Sequence, residues 1–178
     1  MNRNPRHILL AEDDPRDAKL TLVALEVNEL SHPVVVVNDG EAALNYLYCR
    51  AKFNARTGGN PIAVLLDLKM PKIDGMEVLK IIKSDRKLKT IPVVMLTSSR
   101  EPQDLNECYR NGVNAYVVKP VDFAEFAKAI KRLGVFWAAV NEPPLDSGEE
   151  ETELPKGYVH CLGTDEVKKE IPPIHPAR

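Results

Sequence analysis

Apolar positions along the first 140 residues follow two rhythms. Short unbroken runs occupy His7-Ala11, Pro33-Asn38, Ile62-Asp67, Pro92-Thr97 and Ala115-Val118, all aliphatic or β-branched and none alternating with polar residues. A strand open to water on one face alternates, whereas one covered on both faces does not, so these runs predict a parallel sheet buried on both sides. Between them lie segments of helical character at about Pro15-Asn28, Glu41-Lys52, Met76-Ser84 and Pro102-Asn111, and a last one from Asp122 to Val140. In that last segment Phe123, Phe126, Ala127, Ile130 and Trp137 share one helical face, and Asp122 stands where an N-cap belongs. Five strand–helix units predict an α/β doubly wound, five-stranded parallel sheet, most commonly in the order 2-1-3-4-5.

Composition changes this picture near residue 141. Residues 141–178 hold six of the fourteen prolines, with nine Asp/Glu against four Lys/Arg. That stretch is too short and too polar for its own core, so it reads as an extended acidic, Pro-rich tail after a domain spanning 1–140. Within it, Tyr158-Val159 and Ile171-Pro172-Pro173-Ile174 are the pieces able to dock. The net charge of −2 gives no general pull toward nucleic acid or an anionic membrane. No apolar stretch approaches the ~20 residues of a membrane span, and the N-terminus lacks signal-peptide character. The expected location is cytoplasmic. Cys49, Cys108 and Cys161 are scattered and odd in number, as are His7, His32, His160 and His175 in placement, so no zinc site is expected.

The chemistry gathers where the strands end. In an open α/β sheet, ligands bind at the carboxyl ends of the strands where strand order reverses, here between the first and third strands. The first strand ends in Ala11-Glu12-Asp13-Asp14 and the third in Val64-Leu65-Leu66-Asp67. Carboxylates this close disfavour one another, and a hard divalent cation such as Mg²⁺ resolves the conflict. Asp14, followed by Pro15, is instead a helix cap. The fourth strand brings Thr97 to the same rim and the fifth brings Lys119. Carboxylates, Mg²⁺, a hydroxyl and an ammonium are the parts of phosphoryl transfer. Gly58-Gly59 belongs to a loop, and neither GxxxxGK nor GxGxxG occurs, so no nucleotide cradle is present. The phosphoryl group is then expected to end on the protein, with Asp67 as nucleophile.

These residues resemble the receiver domain of two-component response regulators. The matching features are Glu12-Asp13 after ILLA, the LLDLKMPKIDG block around Asp67, Thr97 in VVMLTSS and Lys119-Pro120 in AYVVKP. The segment CRAKFNARTGGNP and the Phe136-Trp137 ending look most like single-domain regulators paired with bacterial phytochrome histidine kinases. The resemblance implies a flavodoxin-like receiver fold. It implies that Asp67 accepts a phosphoryl group from a phosphohistidine kinase, that Glu12, Asp13, Asp67 and the Lys69 backbone carbonyl hold Mg²⁺, and that Lys119 and Thr97 contact the phosphoryl oxygens. It implies that Tyr116 is the switch aromatic, that Pro120 follows a cis peptide, and that the protein is not a turnover enzyme. A homodimer through the face of the fourth helix, fifth strand and fifth helix is expected. With 38 residues after position 140, no DNA-binding output domain is expected and signalling passes by protein contact. Two other classes compete. A haloacid-dehalogenase-like phosphatase needs a second Asp two residues after its nucleophile, where Lys69 stands. A degenerate receiver acting as a phosphorylation-independent binding module usually lacks the acidic pair, the acceptor or the lysine, all present here. Asp74-Gly75 is read as a turn opening the third helix, and Phe136 and Trp137 as core residues by default, with a dimer contact for part of that pair as the alternative. Lys69 and Ser99 flank the path of an attacking water.

Overall fold

The computed structural model describes residues 7–26, 32–56, 59–119, 122–141 and 159–160. Five strands and five helices alternate: β1 (Ile8–Ala11), α1 (Pro15–Glu26), β2 (Val34–Val37), α2 (Gly40–Leu47), β3 (Ala63–Asp67), α3 (Gly75–Ser84), β4 (Val93–Thr97), α4 (Pro102–Arg110), β5 (Ala115–Val118) and α5 (Phe123–Val135). All pairings are parallel, and the order is the expected 2-1-3-4-5. A two-residue strand, β6 (Val159–His160), pairs parallel with β2 and widens the sheet to six. Val159 belongs to one of the two tail pieces expected to be able to dock.

Strand periodicity sorts the core into two layers. Leu9, Ala11, Val35, Val37, Val64, Leu66, Val93 and Met95 face one way, against Tyr46 and Leu47 of α2, Val78, Leu79 and Ile82 of α3 and Cys108 of α4. Ile8, Leu10, Val34, Val36, Leu65, Val94 and Leu96 face the other way, against Ala18 and Leu25 of α1 and Phe126 and Ile130 of α5. Every residue of β1 to β4 is buried, which is why those strands lack alternation, while the edge strand β5 is half-buried.

Caps set several helix starts. Asp39, Asp74 and Asp122 each accept a backbone N–H of the first turn, from Ala42, Glu77 and Glu125. Asp14 accepts the Arg16 N–H at 2.7 Å, with Pro15 at the first helical position. Gly75 is required by packing, since a Cβ there would collide with the Asp67 carbonyl oxygen.

Two boundaries depart from the sequence expectation. The helix expected over Glu41-Lys52 stops at Leu47, because Cys49 and Ala51 adopt left-handed φ of 52° each, and a 3-10 turn follows at Ala51–Phe53. The last helix passes into a π-helical turn at Phe136–Val140. Trp137 packs against the α1/α5 layer as expected, but Phe136 is 47% exposed and not core. The apolar stripe of α5 runs through Phe126, Ile130 and Trp137, and one residue of offset turns Phe136 to solvent. The Phe123 side chain and the Lys119–Pro120 bond, expected to be cis, lie outside the described residues.

Candidate functional site

Parallel register brings the expected residues together. Ala11 pairs with Leu66, so Glu12, one residue on, lies beside Asp67 at the carboxyl edge. Thr97 pairs with Val118, which sets Lys119 across from the end of β4, where its N–H donates to the Thr97 carbonyl at 2.7 Å. Glu12, Asp67 and Thr97 are buried, and Asp13 is exposed.

Carboxylate oxygens of Glu12, Asp13 and Asp67 lie within 4.8 Å of one another. Two of these groups are desolvated, so their mutual repulsion is poorly screened. Burial, together with the charges of Asp67 and Asp17, pushes the Glu12 carboxyl up to about 7 against the opposing pull of Lys119. Burial also raises Asp67, while Lys119 and the Lys69 N–H pull it down. Three hard oxygen donors converging at a half-open rim fit a divalent cation that keeps part of its water shell.

Lys119 closes the opposite side. Its Nζ lies 2.7 Å from Glu12 Oε2, 2.8 Å from Asp17 Oδ2 and 3.1 Å from Asp67 Oδ1. Burial alone would lower this ammonium, but the hydrogen bonds to Asp17 and Glu12 and the Asp67 charge reverse the direction and hold it above its ordinary value. Asp67 Oδ2 accepts the Lys69 N–H at 2.8 Å, so each carboxylate oxygen of Asp67 has a distinct partner.

A relay of hydrogen bonds leads away from the rim. Thr97 Oγ1 accepts the Ser99 N–H at 3.0 Å, and the Ser99 hydroxyl donates to Asp104 Oδ2 at 2.6 Å, at the start of α4. The half-buried Tyr116 donates its hydroxyl to the Ser99 carbonyl at 3.2 Å.

Two further features escaped the sequence reading. Asp17, in the first turn of α1, is a direct partner of Lys119. With Asp14 as cap and Pro15 as first helical residue, Asp17 was placeable in the first turn of α1, but nothing in the sequence aimed that turn at Lys119. The second is a strap on the β3–α3 loop. Lys72, at φ 66°, reaches 2.7 Å to Asp39 Oδ2 and 3.3 Å to Glu41 Oε2, tying that loop to the start of α2.

Comparison with known proteins gives one family match and several relatives. The family model described as "Response regulator receiver domain" matches residues 8–131. The "Probable methanogenesis regulatory protein FilR2" of Methanothrix harundinacea is 38% identical, over 79% of this chain and 89% of that protein. "Response regulator Rcp1" of Synechocystis sp. is 35% identical, over 75% of this chain and 89% of that protein. A solved Mn(2+)-bound form of Rcp1 aligns with TM-score 0.73 and 34% identity, covering 79% of this chain and 99% of that one. The solved structure of the bacteriophytochrome response regulator AtBRR is 58% identical with TM-score 0.65, covering 79% of this chain and 100% of that one. By its motifs, topology and matched span, this chain belongs to the response regulator receiver domain family.

Proposed function

We propose that the protein is a phosphorylation switch in which Asp67 accepts a phosphoryl group from a phosphohistidine of a sensor histidine kinase. The observation that carries this reading is the arrangement around Asp67: one carboxylate oxygen faces the Lys119 ammonium, and Glu12 and Asp13 offer oxygens beside it. In the transfer, an Asp67 oxygen attacks phosphorus, the P–N bond breaks as the P–O bond forms, and the imidazole nitrogen keeps the electron pair and takes up a proton. Glu12, Asp13, Asp67 and the Lys69 carbonyl are the residues that would hold Mg²⁺, which supplies charge neutralisation for the phosphoryl oxygens when bound. Lys119 contributes a fixed cation from the protein itself. The protein is an acceptor that supports its own phosphorylation and dephosphorylation, not an enzyme that turns over substrate.

The switch follows from the hydrogen-bond relay. Phosphorylation adds close to two negative charges at Asp67. A shift of Thr97 toward them draws Ser99, whose N–H it holds and whose carbonyl holds Tyr116. Tyr116 is then released to turn, and the surface of α4, β5 and α5 changes shape as a population shift. On α4, Leu105 and Tyr109 are exposed, 38% and 54%, which supports a homodimer through this face. The likeness to bacteriophytochrome regulators supports a phytochrome-type histidine kinase as partner, and the exposed α4 face supports output by protein contact.

The test is exposure of wild type and Asp67→Asn to acetyl phosphate with Mg²⁺, read by intact mass. One phosphoryl adduct on wild type alone, abolished by EDTA, is the expected result. No adduct on a folded wild type, with acetyl phosphate and with a panel of phosphorylated histidine kinases, refutes the acceptor reading in favour of a binding module. For the dimer, sedimentation at tens of micromolar, with and without a phosphoryl analogue, is decisive: monomers in both states reject it.

A further inference from the structure

Lys119 is held by three carboxylates, but only two of them belong to the candidate metal set. Glu12 and Asp67 would hold a cation, and Asp17 would not, because it stands on α1 outside the converging trio. Its side chain is 38% exposed, and its Oδ2 is 2.8 Å from the ammonium, closer than Asp67 Oδ1 at 3.1 Å. We propose that Asp17 is a positioning residue that retains Lys119 when the cation draws Glu12 and Asp67 away, and that competes with the phosphoryl group for the same ammonium. The inference rests on the acceptor reading of Asp67.

The two roles have opposite signs. Without Asp17, the only remaining acceptors for Lys119 among these three are Glu12 and Asp67. A cation must then take its ligands from an ammonium that has no alternative partner, and binds less well. The phosphoryl group, by contrast, meets an ammonium freed of its competitor and is held more tightly. Loss of fold or of packing weakens both ligands together, so a split in sign separates positioning from damage.

The experiment is calorimetric titration of the full chain with Mg²⁺ alone, then with beryllofluoride, a phosphoryl-group analogue, at saturating Mg²⁺. Asp17→Ala is expected to weaken Mg²⁺ by roughly fivefold and to tighten beryllofluoride by a similar factor. Asp17→Glu keeps a carboxylate within reach and is expected to restore both toward wild type. The Mg²⁺ titration is repeated in a Lys119→Met background. There Asp17→Ala is expected to matter by less than about twofold, because its partner is gone. An undiminished loss in that background means that Asp17 acts on the ion directly, and overturns the proposal. Unchanged affinities in Asp17→Ala, or shifts of the same sign, overturn it as well. A wild-type protein that binds neither ligand fails the acceptor reading itself, whereas normal wild-type binding with a silent Asp17 fails only this inference.

Discussion

At the amino end of β1, His7 is 1% exposed; at the carboxyl end, Glu12 is 3% exposed. Both are titratable side chains taken out of water, five residues apart, and each is handled differently. His7 is made neutral: burial and the Arg56 charge push its imidazole down to about 4. Its Nε2 lies 2.7 Å from the Tyr46 hydroxyl, and Tyr46 is packed edge-on to Phe53 with the Arg56 guanidinium 4.4 Å from its ring centroid. Glu12 is instead surrounded by charge, with Lys119 in contact and Asp67 and Asp17 opposing it. The His7 imidazole, at the floor of the sheet, is therefore matched within the fold as it stands. Among the described residues, the rim carries more carboxylates than the Lys119 ammonium can satisfy, an excess that fits a divalent cation. Buried polarity that serves the fold is matched within the fold, whereas buried polarity that serves chemistry is left to be matched by a ligand.

Exchanging the two ends' properties breaks or sharpens this contrast. The largest effect is expected from Glu12→Gln, which removes a cation ligand without removing volume. Its Mg²⁺-dependent phosphorylation by acetyl phosphate should fall by roughly a hundredfold or more. Its urea midpoint in EDTA should hold or rise, because one buried charge has gone. A lower midpoint would show that the rim, too, is built for stability.

Next comes the pH response of the floor. His7 titrates near 6.5 when unfolded and near 4 when folded, so the unfolded chain takes up the proton first. Stability is intact above about pH 6.5 and falls as pH drops toward 4, by about 3 kcal/mol in total for this group. His7→Gln, which keeps a hydrogen-bonding side chain near Tyr46 but does not titrate, should give a flatter profile of urea midpoints across that window. Parallel profiles would remove His7 from the account.

A smaller effect is expected from Tyr46→Phe. It leaves a ring nitrogen of His7 short of its partner in the core, at a cost of about 1–3 kcal/mol in chemical denaturation, with phosphorylation at Asp67 unchanged. Smallest of all is deletion of residues 146–178. It removes β6 and the acidic tail, and the phosphoryl adduct measured by mass should be the same as for the full chain. Loss of the adduct would make the tail part of the domain.

The sequence carried the rim more completely than the floor. Strands buried on both faces announce themselves by unbroken apolar runs, so Glu12, Asp67, Thr97 and Lys119 could be placed simply as what ends them. Asp17 was missed because its role depends on where α1 aims its first turn, and its neighbours in the chain give no hint of Lys119. The His7–Tyr46 pair was equally silent, since a histidine before a strand and a tyrosine on a helix become partners only through the crossover between them. The end of α2 was unreadable for a local reason. Left-handed φ at Cys49 and Ala51 is imposed by the turn and favoured by neither residue type. Phe136 shows the reverse: its exposure follows from the α5 stripe, and treating an aromatic as core by default overrode the stripe.

Lys119 and Glu12 are 107 positions apart in the chain, yet they touch. During synthesis, β1 and β3 emerge and can pair long before β5 exists, and contacts of such separation are costly to form early. A nascent or partly folded chain therefore presents Asp67 without its ammonium. If Asp67 is the acceptor proposed above, competence to be phosphorylated arrives only when β5 has joined the sheet, and the modification would then also report that the receiver fold is complete.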